Sequence, residues 1–219
     1  NFTRPERCLT ALGIRWRAAW GNHDVAGTAT ADVLGSPNRW YSFAAGPARI
    51  LVLDGNDPLD PGQLAFIRRT LATATEPVRI VAVHQPLRTA GIHPPADAAR
   101  RAWVPLFRRG GVTLVLQGHN HDYERIVADG LTYITTGGGG APLYPCVRPA
   151  AGLRRCVPEH HFLLVSANRS RVAVRAVTPS GRTLERVVLP VRSPAERISR
   201  AGGAPGRRPR RPTPWRPGR

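Results

Sequence analysis

The sequence has 219 residues, of which 42% are hydrophobic, and a formal net charge of +18. This length and apolar content suit one domain with an appendage, or at most two small domains. No apolar stretch is long enough to span a membrane, and three cysteines in such a chain exclude a disulfide framework. All 32 basic residues are arginine, beside 22 glycines and 22 prolines, which indicates biased codon usage. We therefore discount the charge as a sign of a nucleic-acid partner, although arginine favours anionic substrates.

Hydrophobic periodicity predicts the secondary structure along most of the chain. In order, the predicted elements are a helix ending near residue 13, strands at 14–20, 40–43 and 49–54, a helix at 60–74, a strand at 78–84, a helix at 95–109, strands at 112–117 and 131–135, and an antiparallel meander of 162–165, 171–177 and 183–189. The strand–helix alternation up to about residue 125 is typical of a layered α/β domain.

Turn and cap residues mark the boundaries of these elements. Asp60-Pro61 is an N-cap followed by proline at the first helical position. Gly13 and Gly110-Gly111 are placed to end the preceding helices. Asp54 and Asp57 could be metal ligands in principle, but we interpret them as capping the next turn.

Several conspicuous residues receive structural interpretations. Gly137–Gly140 lacks the Gly-Lys-Ser/Thr ending of a P-loop, so we interpret it as a flexible chain reversal and not as a nucleotide cradle. His93 lies in an irregular loop and is interpreted as a loop residue, with a substrate contact as the alternative. His160 and His161 at the entrance of the meander are interpreted as structural or solvated.

The three cysteines give some information on the cellular compartment of the protein. Cys146 and Cys156 bracket a loop with proline and arginine, and a disulfide can form between them, which leaves Cys8 over. The alternative is three unrelated thiols. We favour an exported protein on this basis, although no signal peptide is visible.

Three strands are followed by polar clusters at their carboxyl ends. Residues 21–24 read Gly-Asn-His-Asp, His84 closes the strand at 78–84, and residues 118–121 read Gly-His-Asn-His. Strand ends of open α/β sheets converge on ligand sites, and neutral imidazole is a common ligand of zinc and iron. The clusters therefore predict a metal site, against the alternative of polar loops that happen to contain histidines.

The motifs Gly-Asn-His-Asp, Val-x-x-His and Gly-His-x-His, in this order, resemble those of the calcineurin-like metallophosphoesterases. The run Gly118–Arg125, with Tyr-Glu-Arg after the histidines, is most similar to the purple acid phosphatase branch. The resemblance covers roughly Trp16 to Pro190. It implies an α/β (α+β) fold, an αββα sandwich with a C-terminal antiparallel meander, over residues 1–192, while the Arg/Pro-rich residues 193–219 are predicted to be a disordered tail.

The resemblance also implies the members of the site. Asn22, His84 and His119 would bind one metal ion, and His121 would bind the other. His23 would donate a proton to the leaving oxygen or stabilise charge in the transition state, and Asp24 would orient it. The alternative for His23 and Asp24 is a salt bridge within a turn. The cofactors would be two metal ions, with iron, zinc and manganese all open.

The family has two earlier motifs that supply aspartates, including the one that bridges the metals. No aspartate precedes Asn22 here, and the chain starts at Asn1. We expect either a fragment without its N-terminal strands or a degenerate relative.

The predicted function is metal-dependent hydrolysis of a phosphorylated small-molecule substrate, monoester or diester, by a binuclear centre that residues missing from this chain complete. The alternative is an inactive domain that binds nucleic acid or another polyanion, to which the Arg-rich tail would add weak binding.

Overall fold

A computed structural model describes residues 3–25 and 38–191. Within these residues the chain forms three helices and ten strands. The helices are α1 (Thr3–Ala11), α2 (Pro61–Thr73) and α3 (Asp97–Arg109). The strands are β1 (Tyr41–Ala45), β2 (Ala48–Leu53), β3 (Val78–Val83), β4 (Leu114–Gln117), β5 (Tyr123–Ala128), β6 (Leu131–Thr136), β7 (Leu153–Val157), β8 (Phe162–Ala167), β9 (Arg171–Val177) and β10 (Thr183–Pro190).

The larger of two sheets has a parallel centre. Its strand order is β1-β2-β3-β4-β6-β5-β7, and the pairs β2–β3, β3–β4 and β4–β6 are parallel. Parallel strands end at the same edge of a sheet, so His84 after β3 lies beside Gly118 after β4. The backbone amide of Gly118 donates to the carbonyl of His84 at 2.9 Å. This register brings two of the predicted polar clusters together.

The second sheet is the predicted antiparallel meander, with the order β10-β9-β8. It packs on one face of the larger sheet, while α2 and α3 cover the other face. The core on the helical side includes Ile67, Leu71, Trp103 and Phe107 of the helices with Leu51, Leu53, Val81 and Val83 of the strands. The core between the sheets includes Val78, Ile80, Leu114, Tyr123 and Ile134 with Val172, Val174, Ala176 and Leu184. Alternate residues of β3 enter different cores, as the period of a strand requires.

The predicted fold class is therefore confirmed as a layered arrangement with two packed sheets. A complete αββα sandwich would also carry helices on the outer face of the smaller sheet. In the described part of the chain, Leu164 and Val188 on that face are 45% and 56% exposed. The Arg/Pro-rich tail predicted for 193–219 lies outside the described residues.

The helix boundaries follow from local chemistry. The side chain of Asp60 accepts a hydrogen bond from the amide of Gln63 at 2.7 Å, which confirms the predicted N-cap of α2. Helix α3 begins at Asp97, two residues later than predicted. The amide of Ala96 donates to the carbonyl of Pro86 at 2.7 Å, which ties the chain to the β3 loop immediately before the helix. At the other end, Gly111 has φ = 65° and terminates α3.

The predicted strand at 14–20 is wrong. Its alternating pattern is real, since Ala18 and Trp20 are buried and Trp16 packs against them. However, no described strand pairs with it, and the carbonyl of Ala18 accepts a hydrogen bond from the hydroxyl of Tyr41 at 2.8 Å. The apolar face explains why the segment is buried on one side, but a strand also needs a hydrogen-bonded partner.

Strands β5 and β7 were not predicted. Strand β5 starts inside the run Gly118–Arg125 and forms a hairpin with β6 through Asp129 and Gly130, both with positive φ. An Asp-Gly pair is a strong hairpin signal, so β5 could have been found from the sequence.

The glycine run Gly137–Gly140 is not simply a flexible reversal. A Cβ atom on Gly137 would lie 1.9 Å from the carbonyl oxygen of Asn120, and one on Gly138 would lie 2.4 Å from Nδ1 of His161. Gly137 therefore lets the chain pass close to the backbone of Asn120, and Gly138 lets it pass close to His161.

No helix among the described residues is long and apolar enough to cross a membrane.

Candidate metal centre

Three side chains from distant parts of the sequence converge at the carboxyl edge of the larger sheet. Nε2 of His84 lies 2.9 Å from Oδ1 of Asn22 and 3.2 Å from Nδ1 of His119. A single ring nitrogen carries at most one proton, so it cannot donate a hydrogen bond to both neighbours at once. The structure thus brings together three of the four residues predicted to bind metal, with their polar atoms facing one another.

The backbone around His119 is adapted to this arrangement. His119 has φ = 70°, in the left-handed region that residues with a Cβ rarely adopt. Such a conformation costs about 1–3 kcal/mol and persists where the surroundings require it, often at functional sites. Here the amide of Asn120 donates to the carbonyl of Gly118 at 2.8 Å and closes the turn. The strained turn is what directs the His119 ring towards His84.

The turn at residues 21–24 carries Asn22. The carboxylate of Asp24 accepts a hydrogen bond from the amide of Gly21 at 2.6 Å, and the amide of Asp24 donates back to the carbonyl of Gly21. Among the described residues there is no hydrogen bond or ion pair between His23 and Asp24, and the Asp24 carboxylate closes the turn. His23 is exposed, and its ring makes no hydrogen bond to another described residue.

Asp54 and Asn56 support this turn from the end of β2. Oδ1 of Asp54 accepts from the amide of Asn56 at 2.9 Å, which confirms that Asp54 caps the turn. The side chain of Asn56 donates to Asp54 and also to the carbonyl of Gly21 at 3.2 Å. Asp54 is fully buried and pairs with Arg39 at 2.7 Å. The negative charge of Asp54 is therefore paired with Arg39 within the fold.

His121 lies on the other side of the site. Its Nδ1 atom is 2.8 Å from the carbonyl oxygen of Pro142. A carbonyl can only accept, so Nδ1 carries a proton, and in the neutral ring Nε2 keeps its lone pair. The ring of Tyr144 stacks on His121 with centroids 4.1 Å apart. His121 does not join the Asn22–His84–His119 contact directly.

His93 is a loop residue, as interpreted from the sequence, and the loop places its ring beside the site. Its ring centroid is 4.1 Å from that of His119. Asn120 holds it there, because Oδ1 of Asn120 accepts from the amide of His93 at 2.9 Å and Nδ2 donates to its carbonyl. No signal in the sequence pairs Asn120 with His93. The contact depends on how the two loops fold against each other.

Glu124 fixes the start of the same loop. It is 1% exposed, and it accepts hydrogen bonds from the hydroxyl of Thr89 (2.6 Å) and from the amides of Ala90 (2.7 Å) and Gly91 (3.1 Å). Bonds from several donors to one buried carboxylate are strong. Glu124 was part of the recognised motif, but its role could not be read from the spacing.

The electrostatics keep the central histidines neutral. Burial, together with the nearby imidazoles of His93 and His84, lowers the pKa of His119 to about 4. Burial also lowers the pKa of His84, partly opposed by the Asp24 carboxylate. Neutral imidazole is the form that binds a metal. Next to the site, burial and then Glu124 raise the pKa of Asp122 well above the usual carboxyl range.

The donor set fits one metal ion. An amide oxygen and two neutral imidazole nitrogens converge, a combination that suits zinc, manganese or iron. Among residues 3–25 and 38–191, one group of three His, Cys, Asp or Glu ligand atoms lies within 4.8 Å of one another, namely Asp122, Cys146 and Cys156. Cys146 and Cys156 form the disulfide that the sequence allowed, so this group is not a metal site. Cys8 is free and exposed.

The chain is similar in sequence to a known family and to several curated proteins. The family model for calcineurin-like phosphoesterases matches residues 3–123. Tartrate-resistant acid phosphatase type 5 of Rattus norvegicus is 26% identical over 226 residues, which cover 82% of this chain and 68% of that protein. The Homo sapiens protein of the same name is 26% identical over 145 residues, or 60% of this chain and 43% of that protein. The chain thus spans less than half of the human relative.

Two solved structures share the fold. GAP50, described as the anchor in the inner membrane complex of Plasmodium, superposes with a TM-score of 0.71 at 16% identity, over 86% of this chain and 71% of that one. Purple acid phosphatase PPD1 of yellow lupin superposes with a TM-score of 0.64 at 20% identity, over 79% of this chain and 38% of that one. The match of the family model over residues 3–123 shows that the chain belongs to the calcineurin-like phosphoesterase family, and its similarity to acid phosphatases supports the purple acid phosphatase-like branch.

Proposed function

We propose that the protein hydrolyses phosphate esters with the help of metal ions, one of which binds to Asn22, His84 and His119. The observation that carries this proposal is the convergence of three polar atoms, since Oδ1 of Asn22 and Nδ1 of His119 both lie within 3.2 Å of Nε2 of His84. The family supports hydrolysis of phosphate esters as the reaction class.

Each member of the set has a distinct part. His84 and His119 offer lone pairs at neutral pH because burial lowers the pKa of both rings. Asn22 offers a neutral oxygen, so the site would keep its positive charge for an anionic substrate. A bound ion would supply a Lewis acid and an activated water.

Two further imidazoles can handle protons. His23 is exposed next to Asn22, and its ring is free of hydrogen bonds to other described residues. His93 is held against His119 by Asn120. We assign protonation of the leaving oxygen to His23, as the family resemblance implies, while His93 lines the site. A general acid must lie within hydrogen-bonding reach of the oxygen it protonates.

A second ion would bind to His121, whose Nε2 keeps a free lone pair. Its remaining ligands, aspartates in the family, would come from outside the described residues. We leave the identity of both ions open between iron, zinc and manganese.

The substrate class we propose is a phosphorylated small molecule, attracted by the arginine-rich surface. The disulfide between Cys146 and Cys156 supports an exported location, because disulfides persist in oxidising compartments.

Metal titration of the 219-residue chain tests the proposal. We expect isothermal titration with Mn²⁺ or Zn²⁺ to show about one bound ion, and we expect His119→Ala to weaken binding at least about tenfold. His160→Ala is the matched control, since His160 is exposed and, among the described residues, its ring hydrogen-bonds to the carbonyl of Gly138 alone. Absence of binding, or binding that His119→Ala leaves unchanged, would contradict the proposal.

Hydrolysis of para-nitrophenyl phosphate tests whether one bound ion is enough for turnover. With a single ion, we expect little or no turnover, and we expect a longer form that supplies the family aspartates to bind about two ions and to turn over. Robust turnover by the 219-residue chain, lost in His119→Ala, would show that one ion or an unrecognised second site suffices. Tight, salt-sensitive binding of nucleic acid that survives His119→Ala would instead favour the polyanion-binding alternative.

A further inference from the structure

Residues 142–148, the clamp segment, run beside the candidate metal centre and contact His121 three times. The carbonyl of Pro142 accepts a hydrogen bond from Nδ1 of His121 at 2.8 Å, and the amide of Tyr144 donates to the carbonyl of His121 at 3.1 Å. The ring of Tyr144 lies nearly parallel to the His121 ring, at 13° and with centroids 4.1 Å apart. Backbone, ring plane and tautomer of His121 are thus all restrained by one segment.

The clamp segment also reaches the loop that carries His93. The rings of Tyr144 and His93 meet edge to face with centroids 5.3 Å apart. The amides of residues 147 and 148 both donate to the carbonyl of Ala90. Tyr144 therefore lies between two imidazoles of the site, in a segment that is bonded to the chain on both sides.

A disulfide anchors the clamp segment to the larger sheet. Cys146 lies within the segment and is joined to Cys156 of β7. Cys156 pairs in register with Glu124 of β5, the strand that begins two residues after His121. The segment contains no helix or strand. The disulfide is therefore the covalent link that limits its motion relative to His121.

We propose that Tyr144 is a positioning residue of this site and that the Cys146–Cys156 disulfide holds it in place. The inference rests on the proposed function only in taking His121 as a metal ligand. Hydrogen bonds from the second ring nitrogen fix the tautomer and direction of a ligating histidine. The Pro142 carbonyl fixes the proton on Nδ1 of His121, and the Tyr144 ring prevents the imidazole from turning away. Without Tyr144, the His121 ring can rotate and lose the Pro142 bond.

The first test is the tautomer of His121 in the metal-free chain. Long-range ¹H–¹⁵N NMR spectra distinguish Nδ1–H from Nε2–H imidazole. We expect a single Nδ1–H form in the wild type and in Tyr144→Phe, which keeps the ring. We expect a mixture in Tyr144→Ala and Tyr144→Leu, which do not. Val147→Ala is the matched control, because Val147 is in the same segment but 52% exposed.

The second test is metal affinity. In a longer form that supplies the family aspartates, where His121 would bind the second ion, we expect Tyr144→Ala and Tyr144→Leu to weaken binding of that ion, with Mn²⁺ or Zn²⁺ as the probe, about tenfold, which is the usual scale for partners of a ligating histidine. Tyr144→Phe and Val147→Ala should leave affinity unchanged. The double variant Cys146→Ser/Cys156→Ser should weaken affinity in the same direction and mix the tautomers, because the clamp segment is then held by hydrogen bonds alone. Circular dichroism checks that each variant is folded. If Tyr144→Ala does not fold, Tyr144→Leu replaces it in both tests.

The outcomes separate this inference from the proposed function. A pure Nδ1–H tautomer in both Tyr144→Ala and Tyr144→Leu, with wild-type affinity, would overturn the role of Tyr144. Wild-type behaviour of the disulfide-free variant would overturn the anchoring. If the wild type binds no metal but the tautomer still changes in Tyr144→Leu, the proposed function fails while the positioning of His121 by Tyr144 stands.

Discussion

The side-chain oxygen of Asn22 lies 2.9 Å from Nε2 of His84, although 62 residues separate them in the sequence. Two unrelated pieces of structure create this proximity. His84 follows the buried strand β3, and Asn22 lies in a turn that Asp24 closes through the amide of Gly21. The site therefore depends on the packing of this turn against the sheet edge.

Gly21→Ala tests that packing. A Cβ atom at this position would lie 2.9 Å from both Cε1 and Nδ1 of His84, closer than side chains approach one another. The added methyl should displace the His84 ring and weaken metal binding about tenfold, by analogy with other changes that misalign a ligand. Titration calorimetry measures the change. Gly139→Ala is the control, because a Cβ atom there meets nothing within 4 Å. Equal affinity of the two variants would contradict the prediction.

Glu124→Gln should destabilise the protein by about 2–3 kcal/mol, because hydrogen bonds to a charged group contribute more than neutral ones. The buried carboxylate accepts from Thr89 and from two backbone amides, and a glutamine would turn an NH₂ group towards some of these donors. Urea unfolding at pH 7 measures the loss.

Asp97→Asn is the matched control for Glu124→Gln. Asp97 pairs with Arg100 on the surface, where an ion pair contributes little. We expect almost no change in its unfolding midpoint. If Glu124→Gln unfolded at the same urea concentration as Asp97→Asn, the carboxylate would not be what holds the 89–91 loop.

Glu185 connects the two sheets. It lies on β10 and accepts hydrogen bonds from the hydroxyl of Tyr123 at 2.7 Å and from the guanidinium of Arg125 at 2.7 and 3.0 Å, both on β5. Glu185→Gln leaves a largely buried arginine without its counter-charge, so we expect a loss of about 2–3 kcal/mol in unfolding free energy. Glu159→Gln, which breaks the exposed pair with Arg182, should change it by less than about 1 kcal/mol. Equal losses of unfolding free energy in Glu185→Gln and Glu159→Gln would contradict the larger contribution expected of Glu185.

Stability should decrease as the pH falls below about 6.5, the ordinary pKa of histidine. Burial lowers the pKa of His161, whose Nδ1 donates to the carbonyl of Glu159. Its Nε2 atom is buried and has no hydrogen-bond partner among the described residues. The unfolded chain therefore takes up protons before the folded chain does, and folding weakens with acid.

Urea unfolding at pH 7.5 and pH 5 measures this effect. His161→Phe keeps the aromatic contact with Tyr123 but cannot be protonated. His84 and His119 shift with the same sign, so the variant should show a smaller loss than the wild type, not none. An identical loss in both proteins would show that His161 does not titrate in this range.

Local patterns were enough for much of the scaffold. The capped helix α2, the buried strand β3 and the meander β8–β10 all follow from periodicity, Asp60-Pro61 and turn residues, because these act within a few neighbouring residues. The order of the three polar clusters was also sufficient to recognise the family. Residues 14–20 show the limit of this reasoning. An alternating apolar pattern buries one face, but it does not provide the neighbouring strand that a ladder requires.

The contacts within the site could not be predicted from local sequence patterns. Three contacts of the site join segments that are far apart in the sequence. Asn120 holds His93, Glu124 binds the 89–91 loop, and Tyr144 stacks on His121. None of these pairs has a characteristic spacing, since the distance along the chain is set by the elements between them. Residue types and strand ends thus specify which groups are available for chemistry, whereas the packing of loops at one edge of the sheet selects which of them touch. Contacts across a folded core are non-local, and no window of sequence contains both partners.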